Sequence, residues 1–190
     1  HLGQYARLLY VRGEYKDARE IFAQLSANEV SGPMKMLGSE LELRQGNLPA
    51  SIELAAASVA SSKNPIDFLW YGEFLHRAGR RVEAEKQFRI AVTMGPAIPE
   101  AWLALIRQQL NNGNRTQARD AIRSARSYGP EARVPYLLAQ CYESLEDFAR
   151  AEQYYVAATV MHPEDFTVTA RAAAFLLVEQ RRRAALGLPD

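Results

Sequence analysis

Apolar and small residues return along this chain at three- and four-residue spacings. In "PIDFLWYGEFLHRAG", Phe68, Tyr71, Gly72 and Leu75 fall on one face of a predicted helix. A turn is predicted at Gly79, after which Val82, Ala84, Phe88, Ala91 and Val92 build a second apolar face, and Pro96 ends the unit. Glycine suits the left-handed conformation that closes many helices, and proline cannot continue one. The unit is therefore two antiparallel helices joined by a short turn. No stretch sustains the alternation that predicts a strand, so the expected fold is all-α.

The hairpin recurs. "GEYKDAREIF", "GNLPASIELA", "GRRVEAEKQF", "GNRTQARDAI" and "EDFARAEQYY" begin at Gly13, Gly46, Gly79, Gly113 and Glu146, in steps of 33, 33, 34 and 33 residues. Each second helix keeps a small residue at Ala18, Ser51, Ala84, Ala118 and Ala151. Four residues later stand Phe22, Ala55, Phe88, Ile122 and Tyr155, and three after those Leu25, Ser58, Ala91, Ala125 and Ala158. A small side chain lets two helices approach and a bulky one fills the space beside the contact, so the repeated letters specify packing between hairpins. Ala118 is expected against the first helix of its own hairpin. The second hairpin, with Ser51, Ala55 and Ser58, is expected to be the loosest.

These residues resemble the tetratricopeptide repeat (TPR) family. Its period of about 34 residues carries an aromatic, a Leu-Gly pair and a tyrosine in the first helix, then Ala, Phe and Pro markers in the second. The third copy matches through "FLWYG", "EAEKQF", Ala91 and Pro96. The fourth has Trp102, Leu105, Ala118, Ala125 and Pro130, with Ile106 where a small residue is usual. The fifth has Leu138, Ala139, Tyr142, Ala151, Tyr155, Ala158 and Pro163, with Pro135 displacing the early aromatic. The second fits through Met34, Leu37, Gly38 and Leu41, with one additional residue before Gly46, and the first through Tyr5, Ala6, Leu9, Ala18 and Phe22. "EDFTVTARAAAFLLVEQRRRAA" begins a sixth helix. The expected organisation is a single array over 1–190, with repeats at 1–31, 32–64, 65–97, 98–130 and 131–163 and a terminal helix at 164–186.

The resemblance implies a right-handed superhelical solenoid of stacked hairpins whose first helices line a concave groove. It also implies a non-catalytic scaffold for protein–protein interaction. In that register three columns turn inward: Gly3, Lys35, Leu69, Leu103 and Tyr136; Arg7, Ser39, Glu73, Arg107 and Gln140; Tyr10, Glu42, His76, Leu110 and Glu143. The predicted partner-binding residues are Leu69, Glu73, His76, Leu103, Arg107, Tyr136 and Gln140. Chaperone-binding members of the family clamp a terminal carboxylate with lysine and asparagine, a pattern these columns lack. The partner is expected to be a protein or peptide. The alternatives are a recruiting or regulatory segment of a larger enzyme, such as a glycosyltransferase or peptidase, and a self-association module forming a homo-oligomer.

Composition narrows the chemistry further. The 190 residues are 48% hydrophobic and 24% charged, with a formal net charge of +1. No apolar run approaches a membrane span, and balanced charge gives no reason to expect nucleic acid. Lys16, Lys35, Lys63 and Lys86 are the lysines and the other 19 of the 23 basic residues are arginine, a bias that fits a GC-rich bacterial genome. The opening at His1, without methionine or a signal core, reads as a fragment of something longer, and cytoplasm and periplasm both stay open.

No metal or cofactor is expected. His1 is terminal, His162 precedes Pro163 at a turn, and His76 lies on the predicted groove face, where it could meet a ligand but reads first as a partly exposed helix histidine, since a site needs convergent groups. No helical His-Glu-x-x-His and no glycine-rich phosphate loop is present. Cys141 reads as a packed thiol, and Glu83, Glu85, Glu146 and Asp147 as solvent-face or turn carboxylates. Arg181, Arg182 and Arg183, pointing different ways on one helix, read as solvated.

Overall fold

The computed structural model describes residues 1–25, 30–128 and 133–187. Among them stand eleven helices and no strand. They are α1 (Leu2–Val11), α2 (Tyr15–Ala23), α3 (Gly32–Arg44), α4 (Leu48–Val59), α5 (Pro65–Arg77) and α6 (Arg81–Met94), then α7 (Pro99–Asn111), α8 (Arg115–Tyr128), α9 (Val134–Ser144), α10 (Phe148–Met161) and α11 (Phe166–Leu186). The chain divides into two compact units, His1–Gln87 and Phe88–Asp190, with the division inside α6. The Pro130 marker and the expected repeat boundary beside it lie outside the described residues.

All five expected hairpin turns are built alike. Gly13, Gly46, Gly79 and Gly113 have φ between 77° and 81°, and Glu146 takes the same left-handed region at φ 60°. In each case the next residue donates its backbone N–H to a carbonyl in the last turn of the first helix, as from Glu14 to Leu9, Arg80 to Leu75 and Asp147 to Tyr142. That bond satisfies a carbonyl the helix end would leave orphaned and turns the chain sharply into the second helix. Proline in the first turn of α3, α4, α5, α7 and α9 marks the other ends. It fits there because the missing N–H has no partner in the helix anyway.

In the first unit, α1 packs on α2, α2 on α3, α3 on α4 and α4 on α5. Ala6, Leu9, Ala18, Met34, Leu37 and Leu41 form one core, with Phe22 set against it. The Phe22 ring occupies the space where Gly38 has no side chain: a Cβ there would stand 2.8 and 2.9 Å from Phe22 Cε1 and Cε2, and closer still to Cζ. The second hairpin is not loose. α3 and α4 make the most extensive pairing in their unit, with Ser51 and Ala55 fully buried. Ser51 and Ser58 donate their hydroxyls to the carbonyls of Leu48 and Ala55 at 2.8 and 2.6 Å. Small satisfied side chains bring these helices together instead of leaving a gap.

In the second unit, α7 packs on α8 and α9, α8 on α9, α9 on α10 and α10 on α11. Ile106, at the position usually small, is fully buried. Ala139, Ala151, Tyr155, Ala172 and Phe175 make the core around α9, α10 and α11. Within the arginine triplet Arg181 is exposed, whereas Arg182 and Arg183 depart from the expected solvated role. Glu179 is 4% exposed, and Arg182 donates to it through Nε and Nη2 at 2.7 Å each. Arg183 reaches Glu179 at 3.2 Å and also pairs with Glu152 on α10. These pairs hold the Glu179 carboxyl below its usual range, Arg182 contributing most. The apolar face of α11 pulls Glu179 inward, and a buried carboxylate requires such partners.

Two substitutions test this architecture. Glu146→Gly removes the strain of a side chain in the left-handed region, about 1 kcal/mol, and should raise the melting temperature by roughly 2–4 °C. Ala118→Arg, at a site with no exposed surface, should cost roughly 3 kcal/mol or more through overpacking and desolvation. A melting curve unchanged in either variant contradicts the corresponding assignment.

Candidate functional site

The predicted binding residues fall into two sets, one in each unit. In the first, Leu69, Glu73 and His76 share one side of α5 at helical spacing; Glu73 and His76 are exposed and Leu69 is only 8% exposed. Leu69 is therefore mostly a packing residue. In the second, Leu103 and Arg107 stand on α7 and Tyr136 and Gln140 on α9, and the two helices pack directly.

Leu103, Tyr136 and Gln140 line a common open cleft of about 460 Å³. Its remaining walls include Glu100 and Arg133, whose charged ends are 4.0 Å apart and largely exposed, and Val168 on α11. Arg107 does not line this cleft. Its Nε lies 3.5 Å from Ser144 Oγ, at the limit of a hydrogen bond, and the side chain is exposed. The contribution of α11 was not in the predicted set, although carrying the inward columns one helix further points to its first turn. There Asp165 accepts from the N–H groups of Thr167 and Val168, capping the helix and fixing the wall.

A partly buried polar relay braces the cleft from behind. The Tyr136 ring meets Tyr155 edge to face at 6.3 Å. Tyr155 is fully buried and donates its hydroxyl to Glu143 at 2.6 Å, and Arg171 donates to both Glu143 oxygens at 2.6 and 2.7 Å. Burial, reinforced by Glu143, pushes the Tyr155 phenol well up, so it stays a neutral donor. Glu143 was placed among the inward columns, but its carboxylate serves the protein's own fold. Glu42 is held likewise, by Arg19 at 2.8 Å and Asn47 at 2.7 Å. Side chains committed in this way offer less to a ligand than Leu103 or Gln140.

Cys141 is fully buried, and burial pushes its thiol up to about 12, with Arg107 opposing. Among the described residues, no group of three or more His, Cys, Asp or Glu could hold a metal ion, and no helix is long and apolar enough to cross a membrane.

Stacked helical hairpins of this kind, with regular left-handed turns and small-on-large packing, define a helical repeat protein. The chain belongs to the tetratricopeptide repeat family, whose model matches residues 5–65 and 103–166. It is 30% identical over 122 residues to the TPR repeat-containing protein YpiA of Bacillus subtilis (strain 168), a match covering 64% of this chain and 29% of YpiA. The chain thus spans under a third of that relative's length. Among solved structures it resembles TTC0263, a thermophilic TPR protein of Thermus thermophilus, with a TM-score of 0.59 and 19% identity over 93% of this chain and 97% of that one. It also resembles a tetratricopeptide repeat protein from Parabacteroides merdae ATCC 43184, with a TM-score of 0.65 and 14% identity over 98% and 75%. Proteins of this family are in general interaction scaffolds without catalytic groups of their own, and extended binding surfaces follow from the stacking of their repeats.

The buried thiol makes the packing testable. At pH 8 a group with a pKa of about 12 is ionised on the order of one part in ten thousand, so Cys141 in the folded protein should resist an aromatic disulfide reagent for hours and react promptly in denaturant. Rapid labelling of the folded protein would contradict the burial.

Proposed function

We propose that this protein is a non-catalytic scaffold that holds a peptide segment of a partner protein on the first-helix face of its repeats. The observation that carries the reading is the meeting of Leu103, Tyr136 and Gln140, from two helices, on one cleft of about 460 Å³. Leu103 and Tyr136 offer apolar anchoring surface, and Tyr136 is held rigidly by Tyr155 and so loses little freedom on binding. Gln140, Glu100 and Arg133 form a polar rim that can fix the direction of an extended peptide. Arg107, exposed on α7, extends the contact surface beyond the cleft. In the other unit, Glu73 and His76 are exposed on the same class of helix and offer a contact surface of their own, which Leu69 supports from within. An apolar cleft with a few polar groups at its rim suits reversible recognition of main chain and side chains.

A displayed library of random peptides, selected on the intact chain, supplies the ligand for a direct test. Leu103→Glu together with Arg107→Glu should leave the melting temperature within a few degrees of wild type, since neither side chain is buried. The pair should weaken the selected peptides by roughly tenfold or more, as loss of an anchoring side chain does. Amide chemical-shift changes on binding should centre on Leu103, Tyr136 and Gln140. Unchanged affinity in the folded double variant would move the contacts elsewhere and overturn the reading.

A further inference from the structure

The second helices of the hairpins differ in charge. α2, α4, α6 and α10 carry net charges of 0, −1, +1 and 0, whereas α8 carries +3, from Arg115, Arg119, Arg123 and Arg126 against Asp120. At 3.6 residues per turn these four arginines lie on one side of the helix, over about 16 Å of its length. Like charges on successive turns repel, so the stripe does nothing for the helix itself.

Three of them, Arg119, Arg123 and Arg126, join Arg150 around a cleft of about 470 Å³ between α8, α9 and α10. Asp147 is the single carboxylate among its described lining residues, leaving the cleft strongly positive in a protein whose net charge is only +1. Ile122, Leu138 and Leu145 give it an apolar floor. Two of the cations are engaged: Arg123 pairs with Asp120 at 2.8 Å, and Arg150 with Asp147 at 3.4 Å while stacking over Tyr142 at 5.3 Å. Arg119 and Arg126 have no such pair among the described residues. The cleft is distinct from the one lined by Leu103. Its α9 residues, Leu138 and Tyr142, lie on the opposite side of that helix from Tyr136 and Gln140.

We propose that this cleft docks an acidic segment of a partner protein, carboxylates on Arg119 and Arg126 and an apolar side chain on the floor beside Ile122 and Leu138. Guanidinium groups match this task because their planar fork binds a carboxylate through two parallel hydrogen bonds, and their stems cover apolar surface. The concave, apolar-floored shape takes a peptide side chain better than a flat headgroup layer. The near-neutral chain also lacks the extended basic field a phosphate polymer needs.

The test uses the intact chain and a fluorescein-labelled helical peptide of glutamates with leucine at every fourth position. A second peptide has glutamine for every glutamate, and phosphatidylserine vesicles are a third probe. The acidic peptide should bind saturably and weaken with salt, and the glutamine peptide should not bind. Arg119→Glu with Arg126→Glu should lower the affinity about tenfold or more, and Leu103→Glu with Arg107→Glu should leave it unchanged, which separates this site from the first-helix cleft. Arg119→Gln with Arg126→Gln repeats the comparison without charge reversal should the first pair lower the melting temperature. Absence of saturable binding, equal binding of the glutamine peptide, or indifference to both arginine pairs overturns the proposal. So does binding to vesicles through these arginines in place of the peptide.

Discussion

The fold depends on one kind of contact, a bulky side chain of a second helix seated where the next first helix has almost none. Phe22 over Gly38 shows it directly, because even a methyl group on Gly38 would drive into the ring. Tyr155 shares its core with Ala139 and Ala172 in the same way of pairing large with small. A two-helix hairpin has more apolar surface than it can cover alone, so each contact of this type both closes one hairpin and creates the seat for the next. Where the bulky member is lost, as at Ala55, serines on the same helix return their hydroxyls to backbone carbonyls, and the helices close up on small residues. The repeat conserves the fit between surfaces, while the identity of the filling residue is free to change.

That freedom explains how much of the fold can be read from one sequence. The period, the paired helices and all five turn positions follow from spacing, because packing against neighbours on both sides forces small and large residues to recur. Glu146 shows how strong the constraint is: the chain enters the left-handed region there even without glycine. Expectations resting on size alone did less well. Ser51, Ala55 and Ser58 look like missing volume in the sequence, yet the backbone approaches to meet them. The arginine triplet looks solvated because consecutive residues diverge on a helix, but Arg182 and Arg183 both reach Glu179, and Arg183 also reaches Glu152, 31 residues earlier in the chain. The i, i+3 spacing of Glu179 and Arg182 was visible; the burial of Glu179 was not, since it depends on which side of α11 meets α10.

Candidate binding residues are harder to read for the same physical reason. A position facing outward is released from the packing rule, so the register identifies its direction but not its engagement. Leu103, Tyr136 and Gln140 meet on one cleft, whereas Leu69 is drawn into the interior and Arg107 stands apart. Glu143 and Glu42 belong to columns read from the sequence as inward, yet they are engaged by Tyr155, Arg171, Arg19 and Asn47. Such pairings join residues up to 28 positions apart and leave no local signature.

The division between committed and uncommitted polar groups gives the surface its specificity. A carboxylate such as Glu143, bound by a buried tyrosine and an arginine, cannot turn toward a ligand without abandoning a desolvated hydroxyl, which is costly. Groups of this kind therefore serve as rigid backing, and they hold neighbours such as Tyr136 in place. Arg119 and Arg126 are in the opposite condition: exposed, beside other cations, and without an ion pair of the kind that engages Arg123 and Arg150 among the described residues. Helix α9 stands between the two conditions, with Tyr136 and Gln140 on one side and Leu138 and Tyr142 on the other. A single helix whose packing is supplied by its neighbours can thus present two chemically different faces, one apolar with a polar rim and one cationic with an apolar floor. Substitution of the exposed groups, such as Arg119 and Arg126 on one face, leaves buried packing residues such as Ile122 and Leu138 in place, so binding properties can diversify on this scaffold at little cost to its fold.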